Sequence, residues 1–443
     1  MYRSCMRLKV KKISVATAFI VGSLTWADTL SLEEILNHAS VNAKTLQMKQ
    51  TDALIESKNI QSAESAYYPS LNLIYNAERN QALDGIPLGT ESVGGITISN
   101  GSRYQSSMAV QLNYDLYHFG ATDKRVHIAT SEFDIKKMEW CSQEKQLHQQ
   151  ILERYSSARK ATIEKKYRVQ MLDVRKNLYG MKERLYKAGQ YSKVDLGDEA
   201  IYIITIERDI ENISMRYQED LIRISQLSYM NIDHDTELTP ISLNKEEIFL
   251  EKYDDTTEAL ILHKRITQKK DEISLQLREQ LPSFGLYSNY YLYGSHATDY
   301  DYTVSHINKK SWNVGLSVRY NIFEGFKHSA SKERLKLELQ RLEQEFDEAR
   351  HSYEYESKSK TTRIRELETL KEQEKNLLEE NYKKMDMLAR LREKQKIDGI
   401  TQLSAQYELL ERALNMEIRK IDAAFENASL QILNRGINQC SPH

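Results

Sequence analysis

Proline and glycine are scarce in this chain, 5 and 16 of its 443 residues, and no proline falls in residues 120–187 or 327–394. That is a helix-rich profile, with two stretches in which nothing interrupts a helix. A long apolar run is also missing beyond the first residues, and mean hydropathy is −0.62. This excludes a helical membrane span but not barrel strands, whose signal per segment is weak. Net charge is −2, which supplies no basic patch for nucleic acid. There are three cysteines. Cys5 lies in the leader described below, and the spacing of Cys141 and Cys440 fits neither a metal site nor a disulfide framework, so free thiols are expected. No phosphate loop, zinc motif or nucleophile elbow occurs. His296, Asp299, Ser305 and His306 crowd one loop, as surface loops often do, and no catalytic residue, metal or cofactor is expected.

At the start, Arg7, Lys9, Lys11 and Lys12 precede an apolar stretch at 13–24 and then Thr25-Trp26-Ala27. This reads as a secretory signal over residues 1–27, too short for an anchor, and no cysteine at the cut invites a lipid.

What is present is one plan stated twice. A strand begins near Pro69 or Pro282, a polar loop follows, then a second strand, a glycine (Gly120 or Gly325) and a long heptad-patterned segment. Internal repeats of this kind fix architecture before any residue is interpreted. In the strands the apolar residues alternate: Met108, Val110, Leu112 and Tyr114 oppose Gln111, Asn113 and Asp115, while Trp312, Val314, Leu316, Val318 and Tyr320 oppose Asn313, Arg319 and Asn321. A soluble sandwich also alternates, but strands of about 9–11 residues with tyrosines near their ends suit a membrane barrel, lipid outside and water inside. The first set is therefore expected to face lipid, and Gln111, Asn113, Asp115, Arg319 and Asn321 the lumen. Four strands cannot close a barrel, and open edges in hydrocarbon leave backbone groups unsatisfied, so other copies of the chain must complete it.

The heptads, Tyr167, Met171, Val174, Leu178, Met181 and Leu185, and Leu335, Leu339, Leu342, Phe346, Ala349 and Tyr353, predict two coiled-coil rods of about 100 Å at 1.5 Å per residue. Each rod turns back at a tip, 184–196 and 392–403, where Gly189 or Gly399 stops a helix and Ser192 or Asp398 caps the next.

Taken in order, the Tyr-Pro-Ser-Leu start of the first strand (68–71), the Tyr-Asp-Leu-Tyr-His-Phe-Gly exit (114–120), its counterpart Tyr-Asn-Ile-Phe-Glu-Gly (320–325), the 189–195 tip and the opening Ser31-Leu32-Glu33-Glu34-Ile35 resemble the TolC-like outer-membrane efflux proteins. The resemblance implies a mainly α chain with a membrane β-barrel, in which a homotrimer closes twelve strands over an α-helical tunnel that crosses the periplasm. The first repeat would occupy residues 28–230 with its hairpin at 69–117, an equatorial linker 231–253, the second repeat 254–435 with its hairpin at 282–323, and a tail 436–443. It implies a passive exit duct for efflux or type I secretion, set in outer-membrane lipid and working with a periplasmic adaptor and an inner-membrane transporter of the RND, ABC or MFS type. Arg184, Leu185, Gly189, Ser192, Asp195, Lys394 and Gly399 would dock the adaptor. The family's carboxylate ring at the second tip would fall on Thr401 and Ser404, which departs from the pattern, so Asp195, Asp198 and Asp398 are the other candidates for a pore constriction. The competing architecture is a periplasmic coiled-coil scaffold without a pore. Substrate is not legible.

Overall fold

The computed structural model describes residues 29–79, 92–93, 96–97, 104–242, 252–296, 298–394 and 396–433. The expected leader (1–27), part of the linker and the tail (436–443) lie outside the described residues.

Helix α1 (Leu32–Asn42) starts at a capping box, in which Ser31 and Glu34 satisfy each other's backbone donors. Those hydrogen bonds, the one from the Ser31 backbone N–H first, hold the Glu34 carboxyl below its ordinary range. A break at Ala43, fully buried with ψ 121°, leads into α2 (Lys44–Glu64). Strands β1 (Ser70–Arg79) and β2 (Tyr104–Tyr117) follow, then the rod α3 (Ala121–Lys187) and its return α4 (Lys193–Ser228). The second half runs α5 (Thr257–Arg278), β3 (Ser283–His296), a short helix α6 (Tyr300–Ser305), β4 (Lys309–Arg319), the rod α7 (Lys327–Glu393) and its return α8 (Gly399–Leu433). Both rods have 67 residues, about 100 Å at 1.5 Å per residue. The returns, of 36 and 35 residues, are little more than half as long.

Short returns leave the sheet-side half of each rod free, and α2 and α5 fill that space. Helix α5 packs against both rods, with Arg265 to Glu139 at 2.8 Å, Lys264 to Asp134 at 2.8 Å and Lys269 to Glu338 at 3.0 Å. The main core lies where the two arrangements meet. Leu32, Ile35 and Ala39 of α1 pack with Ile151, Leu152 and Tyr155 of α3 and with Leu221 and Ile224 of α4. Tyr155 is fully buried, and its hydroxyl donates to the carbonyls of Thr239 (2.7 Å) and Leu30 (3.1 Å). Leu30 belongs to, and Thr239 directly follows, a short parallel pairing of Thr29–Leu30 with Glu237–Leu238, so the chain between the halves is tied to the middle of the first rod. A second cluster joins Tyr253 to Leu262 and Ile266 of α5 and to Leu342 and Phe346 of α7.

The four strands form one antiparallel sheet in the order β1-β2-β3-β4, with β1 and β4 at open edges. A β-bulge passes over Leu116 before β2 ends. Both passages from sheet to rod bend through two consecutive left-handed residues, Phe119 and Gly120 (φ 48° and 73°) and Gly325 and Phe326 (φ 60° and 65°). Sequence spacing marked the glycines alone.

The free-thiol expectation is corrected at Cys141, which is buried on α3 and disulfide-bonded. Spacing along the chain carried no sign of this bond.

Candidate functional site

The sheet register decides which side chains share a face. Leu71, Leu112, Ser288 and Val314 stand in one row across the four strands, and Leu73, Val110, Tyr290 and Trp312 in the next. Met108 belongs to the row of Tyr75 and Leu292, Tyr114 to that of Leu286 and Leu316, and Val318 stands opposite Phe284. One continuous apolar face results. It is open in a single chain: Trp312, Leu316 and Leu71 are 73%, 74% and 69% exposed. A patch of this extent on a lone surface calls for a nonaqueous neighbour or a partner. The opposite face carries Gln111, Asn113, Asp115 and Arg319 together with Asn72, Asn289 and Asn313, the last two hydrogen-bonded at 2.9 Å. Strand β4 ends at Arg319, because that residue pairs with Ser283, where β3 begins. Tyr320 and Asn321 therefore lie past the strand, and the Asn321 amide donates to Glu324 in the turn toward α7.

At the loop end, α6 folds onto the apolar face. Ser106 and Thr303 are joined by a buried hydrogen bond of 2.8 Å, and Gly294 leaves no room for a Cβ beneath the Thr303 carbonyl. The histidines and Asp299 that crowd this segment of the sequence are occupied in shaping the loop. His296 Nδ1 accepts from the Asp299 N–H (3.0 Å), Asp299 caps α6, and His306 stacks on Tyr302 at 3.8 Å.

At the other end the tips are built from turn chemistry. Gly189 is left-handed (φ 74°), and the N–H of Gln190 donates to the Leu185 carbonyl at 2.9 Å, closing α3. The Arg184 guanidinium donates to the Gly180 carbonyl (3.2 Å), and the Ser192 hydroxyl accepts from the Asp195 N–H (3.1 Å), capping α4. At the second tip Asp398 accepts from the Thr401 N–H at 2.9 Å. Hydrogen bonding to Thr401 holds the Asp398 carboxyl below its ordinary range. Gly399 sits against the Met181 side chain, so the start of α8 rests on α3 just before the first tip. Arg184, Ser192, Asp195, Asp198, Lys394, Asp398, Thr401 and Ser404 are exposed, with Leu185 half-buried.

Sequence reasoning missed a buried ionic cluster next to these turns. Glu199 of α4 is 4% exposed and takes Lys182 (2.7 Å) and Arg175 (3.2 Å) from α3. The Arg175 guanidinium also lies between the rings of Tyr202 of α4 (4.6 Å) and Tyr407 of α8 (4.2 Å). One arginine thus holds the first hairpin of helices to the second. The available signal was two cations seven residues apart beside the heptad seam, facing a glutamate on the return helix. No helix among the described residues is long and apolar enough to cross a membrane. No group of metal-ligating side chains was found among them either.

Residues 35–228 match the model of the outer membrane efflux protein family. Comparison with curated proteins gives no match. Among solved structures, the outer membrane protein VceC of Vibrio cholerae is similar over 92% of this chain and 96% of its own, at 13% identity and a TM-score of 0.77. The CmeC outer membrane channel of Campylobacter jejuni is similar over 96% and 93%, at 14% identity and 0.73. The MtrE outer membrane channel of Neisseria gonorrhoeae is similar over 98% of both, at 15% and 0.64. The resemblance read from the sequence is borne out: the family model matches the first half, and the fold of the outer-membrane channels covers nearly the whole chain.

Proposed function

We propose that this chain, which carries the fold of the outer-membrane channels and a first half that matches the outer membrane efflux protein model, is the passive exit duct of an efflux or type I secretion system. The observation that carries the reading is the four-stranded sheet, apolar on one face, polar on the other and unpaired at both edges. Unpaired edges in hydrocarbon cost several kcal/mol per backbone group, roughly, and closure removes them. Three copies would supply twelve strands, with Met108, Val110, Leu112, Tyr114, Trp312, Val314, Leu316 and Val318 against lipid. Gln111, Asn113, Asp115 and Arg319 would line the water-filled bore.

Below the sheet, the two rods and their returns would continue the bore as a helical tunnel through the periplasm. The exposed turns at Arg184, Gly189, Ser192, Asp195 and Lys394, with Leu185 and Gly399, would meet a periplasmic adaptor. Energy would come from an inner-membrane transporter of the RND, ABC or MFS type. Asp195, Asp198 and Asp398, with Thr401 and Ser404, would set the charge at the narrow end.

The test is planar-bilayer conductance of the detergent-extracted protein, with and without a reducible crosslink between neighbouring tips. Trimeric pores whose conductance falls on crosslinking would support the duct. A rod that washes off in carbonate and conducts nothing would replace it with a periplasmic scaffold.

A further inference from the structure

The chain between β3 and β4 does not continue the line of the strands. It folds back as α6 onto the apolar face, over the row of Ala77, Ser106 and Gly294. Beneath the Ser106–Thr303 bond the seat is aromatic: the Tyr300 and Tyr75 hydroxyls lie 3.0 Å apart, and the Tyr104 ring meets that of Tyr300 edge-on at 6.3 Å. What α6 turns outward is Tyr302 and Val304, both exposed. A helix from a polar loop thus adds to the apolar face instead of standing clear of it.

The same level carries the first charges on that face. On β4 the side chains run Val318, Leu316, Val314, Trp312 and then Lys310, which shares its row with Tyr75, Met108 and Leu292. The eight residues from Val318 to Lys310 span about 26 Å along the strand and about 20 Å in height at the tilt usual for barrel strands, close to the height of a barrel's apolar band. On β1 the first charge is Arg79, whose guanidinium lies over the Tyr104 ring at 5.4 Å. Neither cation forms an ion pair among the described residues. The nearby carboxylates sit at the start of α6, where Asp299 is taken up as its cap.

We propose that α6 lies in the headgroup layer of the outer leaflet as a lateral rest for the barrel, and that Arg79 and Lys310 take the headgroups of anionic lipid there. The assignment rests on the barrel proposed above. Tyrosine and tryptophan collect at this depth because the ring is apolar and its polar edge reaches water, and cations here meet lipid phosphate. Because β1 and β4 are the edge strands, closure would set the Arg79 strand of one copy beside the Lys310 strand of another, giving one basic seam at each junction.

The protein carries its own depth reporter. Of its three tryptophans, Trp26 falls in the expected leader, Trp140 is buried on α3, and Trp312 stands one row below Lys310. The exported full chain is reconstituted in phosphatidylcholine vesicles containing brominated lipid, and V304W/W312F is read as its difference from W312F. The introduced indole should be quenched by bromine placed next to the headgroup and poorly by aqueous iodide. Quenching by iodide and by no lipid label would put α6 in water and overturn the proposal, while Trp312 of the wild type would still report the barrel in lipid. If Trp312 too escapes every lipid label, the barrel reading itself fails. Y302W/W312F repeats the measurement should V304W/W312F not assemble. For the cations, wild-type Trp312 should meet brominated phosphatidylglycerol in preference to brominated phosphatidylcholine by roughly fivefold. R79Q/K310Q, or K310Q alone if the double variant does not assemble, should reduce that preference. A wild type without preference, a variant that keeps it in full, or a preference abolished by inorganic phosphate at equal ionic strength would each overturn the lipid assignment.

Discussion

Two residues show how much of the stability of the rods rests on single groups. Glu199 is the lone carboxylate between Lys182 and Arg175, and all three are largely withdrawn from water. Replacing it with glutamine leaves two partly buried cations without a counter-charge, which costs about 3 kcal/mol. E199Q should therefore show faster amide exchange in residues 190–205 with unchanged protection around Tyr155. Tyr253 behaves differently. Its hydroxyl is buried without a hydrogen-bond partner among the described residues, and burial raises its pKa to about 12. The folded state thus keeps a proton that the unfolded chain gives up near pH 10. The contribution is complete below pH 10 and is lost as pH rises toward 12. Y253F, which removes a polar group that satisfies nothing, should melt no lower than the wild type at pH 8 and lose less stability between pH 10 and 12.

At the level of elements, each return helix starts from one cap, and each strand of the sheet from one alternation. Asp398 is the side-chain cap of α8, so D398A should destabilise the second tip by about 1 kcal/mol. The cap works when the carboxylate is charged. Because its folded pKa is lowered, its contribution is present above the ordinary aspartate range and is lost as pH falls through the lowered value. Limited proteolysis near residues 394–400 at pH 7 should report D398A as more susceptible, and the difference should shrink in acid. On the sheet, V314K/V318K puts two charges on the apolar face at about 2–4 kcal/mol each near the bilayer midplane. Trimer yield in detergent extracts should collapse, and a normal yield would reverse the assigned faces. The rods were legible because an unbroken heptad such as Met171, Val174, Leu178 leaves one helical solution. The strand faces were legible because period two permits a single division of side chains. The break at Ala43 and the bulge at Leu116 were not, since neither residue carries a local breaker and both follow from packing that the sequence does not display. The Arg175–Glu199 pairing was missed because it turns a charge toward a seam that periodicity marks as apolar, and the spacing of the cysteines carried no sign of the Cys141 bond.

For the whole molecule, the consequential feature is that a single chain presents two unfinished sheet edges, along β1 and β4. Those edges form on folding, whether or not the helix tips are sound. In the proposed trimer, a copy with a disabled tip would still offer both edges to its neighbours and take a place in the ring. Such an allele should be dominant: coexpressed with the wild type, it should reduce export more than deletion of the same gene dose does, and export scaling only with wild-type copy number would contradict this. In a duct assembled edge to edge, a defective subunit does more harm than an absent one.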